Sequence, residues 1–292
     1  MSQINSQRLG YFVAIVDHGG FTAASRAIFV SQPALSLAVK ELEAELGTPL
    51  FARVGRGVRL TAAGTALLGP ARQVVRDLET GRAAVAAVTG LEAGSLSLAS
   101  LPTLAAEPLA RLVGNFRGHH PGVRVDLAAP EDSRDLFSLI ETGTYELGLT
   151  DALEVPDVLE AVDLGPQELV FILPPGTVVR GSKALRQIDF DEISFVAAPE
   201  GTSTRRLLDE LHAALGRQPD LAVVSAQREA ILPLVLAGAG AALVPEAMAG
   251  FAERLGAVVV RSNPPAVRQL ALVYRVGPLS PAAARFLELS QS

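Results

Sequence analysis

The chain contains no cysteine and no tryptophan, and only 5% of its residues are aromatic. Without cysteine there is no disulfide, no thiolate zinc site and no cysteine nucleophile. Lysine is scarce as well: of 25 basic residues, two are lysine and 23 are arginine. No run of about 18 apolar residues free of charge occurs, so no membrane span is expected. The N-terminus lacks a basic, then apolar, then small-residue signal, which sets a cytoplasmic location as the expectation. The four histidines (His18, His119, His120 and His212) fall in no H-E-x-x-H pattern. No phosphate loop and no Gly-x-Ser-x-Gly is present either. Gly238-Ala239-Gly240 precedes a strand rather than a helix, so it is no dinucleotide fingerprint. The expectation is a protein that is not an enzyme and holds no cofactor and no metal.

What is present is a large apolar fraction, 49% of 292 residues, enough for two or three domains with a sizeable core. The net charge of −6 conceals an asymmetry. Residues 1–65 carry six basic and four acidic side chains, a net of +2, and the remainder carries 19 and 27, a net of −8. A small basic head on an acidic body fits a head that meets a polyanion. At +2 that head is only weakly basic, so tight phosphate binding calls for more than one head per DNA site.

The stretch Phe21–Leu50 organises the head. Thr22 is positioned to cap a short helix with Ala24, Ala27 and Ile28 inward. Ser31 is a good N-cap for the next helix, and Pro33 is tolerated in its first turn, where its missing N–H is unpaired anyway. Leu35, Val39, Leu42 and Leu46 recur at helical spacing as a buried stripe, and Gly47 ends the helix. The opposite face offers Gln32, Ser36 and Lys40. An apolar back, a small polar front and a preceding Ala-rich helix are what a helix-turn-helix needs to enter a major groove. Before it, Asn5 or Ser6 caps a helix with Leu9, Phe12, Val13 and Val16 inward. After it, Phe51–Arg53 and Val58–Leu60 flank a Gly-containing turn and predict a hairpin, the wing of a winged helix-turn-helix. Arg53, Arg56 and Arg59 on that wing are candidates for phosphate or minor-groove contact; the alternative is a solvated basic loop. From Thr61 to about Val88 a long helix follows. Leu67, Ala71, Val74, Leu78, Val85 and Val88 form a seam for dimerisation or for packing on the chain's own body. Pro70 weakens its first turns, and Gly90 and Gly94 mark a linker.

The motif Gly20-Phe21-Thr22-Ala23-Ala24, the run from Val30 to Ser36, Leu42-Glu43 with Leu46-Gly47, Leu50-Phe51, Arg53, and Leu60-Thr61 with Gly64 sit at fixed spacing. With Phe12 and Val13 they resemble the N-terminal domain of LysR-type transcriptional regulators. The resemblance implies that Ser31, Gln32, Pro33, Ser36 and Leu37 face the groove of double-stranded DNA, and that the chain works as a homodimer or homotetramer on an inverted repeat. Gln32 suits adenine and Pro33 a thymine methyl. Leu37 cannot donate to guanine, which leans the base preference towards A·T pairs; the bland reading is packing at the bundle edge. Lys40 serves phosphates or base edges.

From Ser95 onward apolar strands alternate with helices, which predicts parallel sheets covered on both faces. Expected strands include Ser95–Ser100, Val123–Ala129, Tyr145–Thr150, Leu159–Leu164 and Gln167–Leu173, with a helix over Thr103–Arg117. Two crossovers, near Leu164–Glu168 and Pro264–Gln269, make a hinged pair of lobes that resembles a periplasmic-binding-protein-like effector domain. The reading is therefore α/β with an N-terminal all-α winged helix-turn-helix: residues 1–61 the head, 62–90 the linker helix, 91–292 the effector domain. Lobe 1 takes about 95–164 and 269–292, and lobe 2 about 165–268. Ligands in open α/β sheets sit beyond strand carboxyl ends, at helix N-termini. Three such junctions carry hydroxyls: Ser100 and Thr103; Ser133; and Thr202 and Ser203 followed by Arg205. A small-molecule effector, a carboxylate or another anion, fits there, with Arg205 as clamp. Each hydroxyl is also an ordinary helix cap, and Glu131 and Glu200 oppose an anion. The alternative to a regulator is a small-molecule-binding or enzymatic α/β protein with an accessory helical domain.

Overall fold

A computed structural model of the chain describes residues 4–54, 57–88, 94–151, 154–178, 184–185 and 193–291. The head is three helices, α1 (Ser6–Asp17), α2 (Phe21–Ala27) and α3 (Gln32–Leu46), then a hairpin of β1 (Phe51–Val54) and β2 (Gly57–Leu60). The capping logic holds for α1 and α3: Asn5 accepts from the Gln7 N–H, and Ser31 Oγ accepts from the Ala34 N–H. Gly47 closes α3 at φ +70°, a left-handed conformation that a Cβ disfavours. At α2 the expectation fails. The helix starts at Phe21 with Gly20 as its N-cap, and Ala27 is exposed rather than inward. Ala24 alone fills the fully buried place on that helix.

Leu35, Val39 and Leu42 on α3 are at most 2% exposed, each contributing about 1.5–3 kcal/mol by burial. Ile15 and Phe12 of α1 close the same core. Glu43 sits at the end of that stripe for a reason the helical period does not give. One of its carboxylate oxygens accepts from the N–H groups of Leu50 and Phe51, at 2.8 and 3.2 Å, and so ties α3 to the wing.

Helix α4 (Ala62–Val88) is capped by Thr61, whose hydroxyl accepts from the Gly64 N–H at 3.0 Å. It continues through Pro70. A Cβ on Gly64 lands 2.2 Å from the Leu50 carbonyl oxygen, so the α4 backbone packs here against the chain leading into the wing. Gly64→Ala is therefore expected to destabilise the head by about 1–3 kcal/mol in spite of alanine's better helix propensity. Differential scanning calorimetry, with the effector domain's own transition as internal reference, checks it. The expected seam divides: Leu67 and Ala71 pack on the head's own core, whereas Val74 and Leu78 are 38% and 47% exposed. The side chains of Val85 and Val88, and Gly90, lie outside the described residues.

The remainder forms two lobes on one sheet. In lobe 1, β3 (Gly94–Ser100) pairs in parallel with β4 (Val123–Ala128) and β5 (Leu147–Asp151), with α5 (Ala110–His119), α6 (Ser133–Glu141) and α10 (Pro281–Ser290) against them. The helix expected over Thr103–Arg117 is broken. Pro102–Leu104 is a 3-10 turn, Glu107 lies at φ −154° and ψ 127°, and regular helix starts only at Ala110. Pro108 accounts for this, since the residue before a proline is pushed out of the helical region.

Leu159–Leu164 and Gln167–Leu173 are not two strands but one, β6 (Leu159–Leu173). Its first eleven residues run antiparallel to β12 (Ala266–Arg275), from Leu159↔Arg275 to Leu169↔Ala266, with a register shift at Leu270/Ala271. The expected crossovers are thus a single two-stranded ribbon through both lobes. β5 joins β12 antiparallel on the lobe 1 side. On the other side β10 (Ala242–Pro245) and β11 (Val258–Ser262) join β6 antiparallel, and β7 (Ala184–Leu185) lies parallel to β11. The sheet is mixed rather than purely parallel. Lobe 2 adds the parallel pair β8 (Ser194–Ala197) and β9 (Asp220–Val224). Its helices are α7 (Ser203–Ala213), α8 (Ile231–Leu236) and α9 (Ala249–Arg254). Among the described residues no helix is long and apolar enough to cross a membrane.

Candidate DNA-reading surface and interlobe cleft

On the head, burial of the α3 stripe turns the opposite face outward. Ser31, Gln32, Pro33, Leu37 and Lys40 are exposed, Leu37 at 58%, and Ser36 is half-buried. Leu37 therefore does not pack at the bundle edge. Thr22, displaced from its expected capping role, donates instead to Gln32 Oε1 at 3.5 Å and orients that amide from the neighbouring helix. The N-terminus of α3 thus presents an amide, hydroxyls and two apolar contacts, the set needed to read base edges. On the wing, Arg59 is exposed and stands opposite Ala52. Arg56 and the side chain of Arg53 lie outside the described residues.

In the effector domain the three hydroxyl-bearing junctions meet at one narrow cleft. Its walls are Leu101–Thr103, Glu131–Ser133, Gly201–Ser203 and Arg228. The hydroxyls differ in what they can still do. Thr103 Oγ1 and Ser203 Oγ bond each other across the lobes at 3.1 Å. Ser133 Oγ lies 3.4 Å from a carboxylate oxygen of the buried Asp151, while Asp132 caps α6. Ser100 is buried and donates to the Leu101 carbonyl at 3.1 Å, and Thr202 donates to that of Pro199 at 2.8 Å. Arg205 turns away from the cleft onto Asp209, 2.8 Å away and four residues on along α7. Glu200 is exposed.

Two arginines not singled out by sequence occupy the place intended for Arg205. Arg206 pairs with Asp151 across the lobes. Arg268, on the ribbon strand β12, is only 6% exposed. Its Nη1 donates to Thr103 Oγ1 and Ser203 Oγ, at 3.1 and 2.6 Å. Its Nε and Nη2 donate to Oε1 of Gln167, its direct partner across the ribbon, at 2.8 and 2.5 Å. Gln167 in turn donates to the Glu107 carbonyl at 2.8 Å, so the backbone distorted before Pro108 anchors the network. Every oxygen bonded to Arg268 is neutral. Burial accordingly pushes its pKa down to about 10, with Asp151 opposing and Arg206 adding to the shift. Because the pKa stays above neutrality, the guanidinium is charged at pH 7 and its desolvation cost applies throughout the physiological range. Arg228 is also lowered, chiefly by burial, with Glu131 opposing. The cleft thus sets hydroxyls backed by the buried Arg268, together with Arg228, against the carboxylates of Glu131 and Asp132, and only the two guanidinium groups favour an anion.

Both domains have counterparts among known proteins. Residues 6–65 match the domain described as bacterial regulatory helix-turn-helix protein, lysR family, and residues 89–292 match the LysR substrate binding domain. The chain is 29% identical to the RuBisCO operon transcriptional regulator of Allochromatium vinosum over 98% of its length and 95% of that protein's. It is 28% identical to the HTH-type transcriptional regulator CbbR of Rhodospirillum rubrum over 87% of its length and 84% of that protein's. Among solved structures, ArgP from Mycobacterium tuberculosis superposes with a TM-score of 0.76 at 20% identity, covering 99% of this chain and 97% of the other. Full-length CbnR complexed with its target DNA superposes at 0.65 and 24% identity, covering 98% and 99%. These two likenesses establish the two-domain fold. With both family domains matched, the chain belongs to the LysR family of DNA-binding transcriptional regulators, and it is a regulator with an effector-binding domain, not an enzyme.

Proposed function

We propose that this regulator senses a small anion, a carboxylate in the first instance, in the cleft between its lobes. The observation that carries the reading is Arg268: a buried cation bridging both lobes with only neutral oxygens as partners. An anion gains a charge-assisted bond there and relieves the desolvation of the guanidinium. Thr103, Ser203 and Ser133 supply the polar contacts that fix its orientation. Ser100 and Thr202 act from behind, holding the backbone of the two junctions, while Arg205 braces α7 through Asp209. The cleft is small against ordinary ligand pockets, and Thr103 and Ser203 close it on each other. The effector is therefore itself small, or binds as the lobes part. It acts only through a difference in affinity between two lobe arrangements.

DNA binding rests on Ser31, Gln32, Pro33, Ser36, Leu37 and Lys40 in the major groove, with Arg53, Arg56 and Arg59 on the flanking backbone. The weak basicity of one head supports a homodimer or homotetramer on an inverted repeat, in the cytoplasm. Exposed Val74 and Leu78 on α4 support that helix as the dimer seam. Leu78→Asp is expected to shift the full-length protein towards monomer in analytical ultracentrifugation, with its fold unchanged by circular dichroism; an unaltered sedimentation coefficient contradicts the seam.

A thermal-shift screen of small carboxylates and phosphates against the full chain tests the effector class. A true ligand at a hundred times its Kd stabilises by about 2.7 kcal/mol. Stabilisation by neutral or cationic metabolites alone refutes an anion site.

A further inference from the structure

A second convergence of arginines lies outside the cleft, where α4 meets lobe 1. Arg76 on α4 donates to the Gly143 carbonyl and, at 2.8 Å, to Oε1 of Gln73. Arg275, at the end of β12, donates to the same Gln73 oxygen at 2.9 Å. One neutral oxygen thus serves two guanidinium groups. Both guanidinium groups lie beside Gly143, whose Cβ position is 3.1 and 3.3 Å from the two Nη atoms of Arg76 and 3.6 Å from Nη1 of Arg275. Among the described residues neither arginine has a carboxylate within ion-pair distance, and the buried Nε of Arg76 has no acceptor. Two acidic groups act on Arg76: Glu146, buried, with both oxygens already taken by the N–H and hydroxyl of Ser280, at 2.6 and 2.8 Å, and Asp77, which accepts from the Gln73 amide at 2.7 Å. The neighbouring Arg72 is neutralised by Asp17 of the head. A shallow solvent-open depression lies between Gln73, Arg76, Tyr145, Glu146 and Arg275.

We infer that the joint between α4 and lobe 1 is a second anion site, taking a compact oxyanion such as phosphate or a phosphomonoester between Arg76 and Arg275. Two adjacent guanidinium forks match the geometry of a phosphate better than that of a monovalent halide. Bound there, the oxyanion cross-links the linker helix to lobe 1, one helical turn from the residue, Arg72, that holds the head. It is therefore an input on head placement separate from the interlobe cleft. The inference does not depend on what that cleft binds.

Calorimetric titration of the full-length protein with inorganic phosphate, at constant ionic strength and without DNA, tests it. One saturable event is expected, weakened about tenfold or more by Arg275→Gln and by Arg76→Gln, and unchanged by Arg268→Gln in the cleft. Arg275 is half-exposed, so its variants decide the matter should Arg76→Gln not fold. Arg275→Lys, which keeps the charge and loses the fork, is expected to fall between wild type and Arg275→Gln. No saturable binding by the wild-type protein overturns the inference. So does phosphate binding that Arg268→Gln abolishes and Arg275→Gln leaves intact. Operator binding measured in parallel on Arg275→Gln separates the outcomes: if it persists while phosphate binding is lost, only this site has been touched.

Discussion

A chain carrying Gln32→Ala and Ser36→Ala is expected to lose roughly a hundredfold in operator affinity, since each good base-edge contact is worth about 1–3 kcal/mol. Its affinity for unrelated DNA should stay nearly unchanged. The two side chains lie outward on α3 above the buried stripe of Leu35, Val39 and Leu42, so their truncation removes no core packing. The loss falls on discrimination because neither residue carries charge. Arg59→Ala behaves in the opposite way. It weakens specific and non-specific complexes alike and flattens the salt dependence by about one unit of slope, the share of a single phosphate neutralised. Fluorescence anisotropy on operator and shuffled duplexes, at several salt concentrations, resolves the two patterns. If Gln32→Ala with Ser36→Ala lowers both affinities equally, α3 sits on the backbone and not in the groove.

Arg268→Met is the second large effect. Removing a buried cation whose partners are all neutral relieves a desolvation cost while forfeiting its hydrogen bonds. The effector-free melting point is therefore expected to move by no more than roughly 4 °C. Anion-induced stabilisation, by contrast, should disappear, because the cation bonded to both Thr103 and Ser203 is gone. Operator binding by the effector-free protein should persist. A variant that still responds fully to the same anion places the effector elsewhere. A variant that no longer folds gives Arg268 a structural role instead.

Much of the head is legible in the sequence because its structure is local. The α3 stripe, its Ser31 cap and its Gly47 stop lie within one helix, and period and capping chemistry suffice to place them. The three hydroxyl junctions are also legible, since strand ends followed by caps mark helix N-termini. What stays hidden is non-local. Gly165 and Pro166 read as a break, yet in the structure Gly165 takes φ +83° and the pair sits beside a register shift in the ladder, where a missing N–H is tolerated. The same apparent break hides Arg268 and Gln167, which face each other 101 residues apart. One signal does point to them: a charged residue in alternating register with Ala266 and Leu270, the inward positions of β12. Pro108 is a second, and it accounts for the broken helix that places the Glu107 carbonyl on Gln167.

The central claim is that the front of α3 reads sequence and does not merely attract phosphate. Its most direct test is equilibrium binding of the full-length protein at near-physiological salt to DNA from upstream of its own coding sequence, against a shuffled duplex of equal length and composition. A sequence-reading head gives a preference of about a thousandfold or more for the upstream DNA. Equal affinity for the two duplexes, or none for either even at low ionic strength, contradicts it.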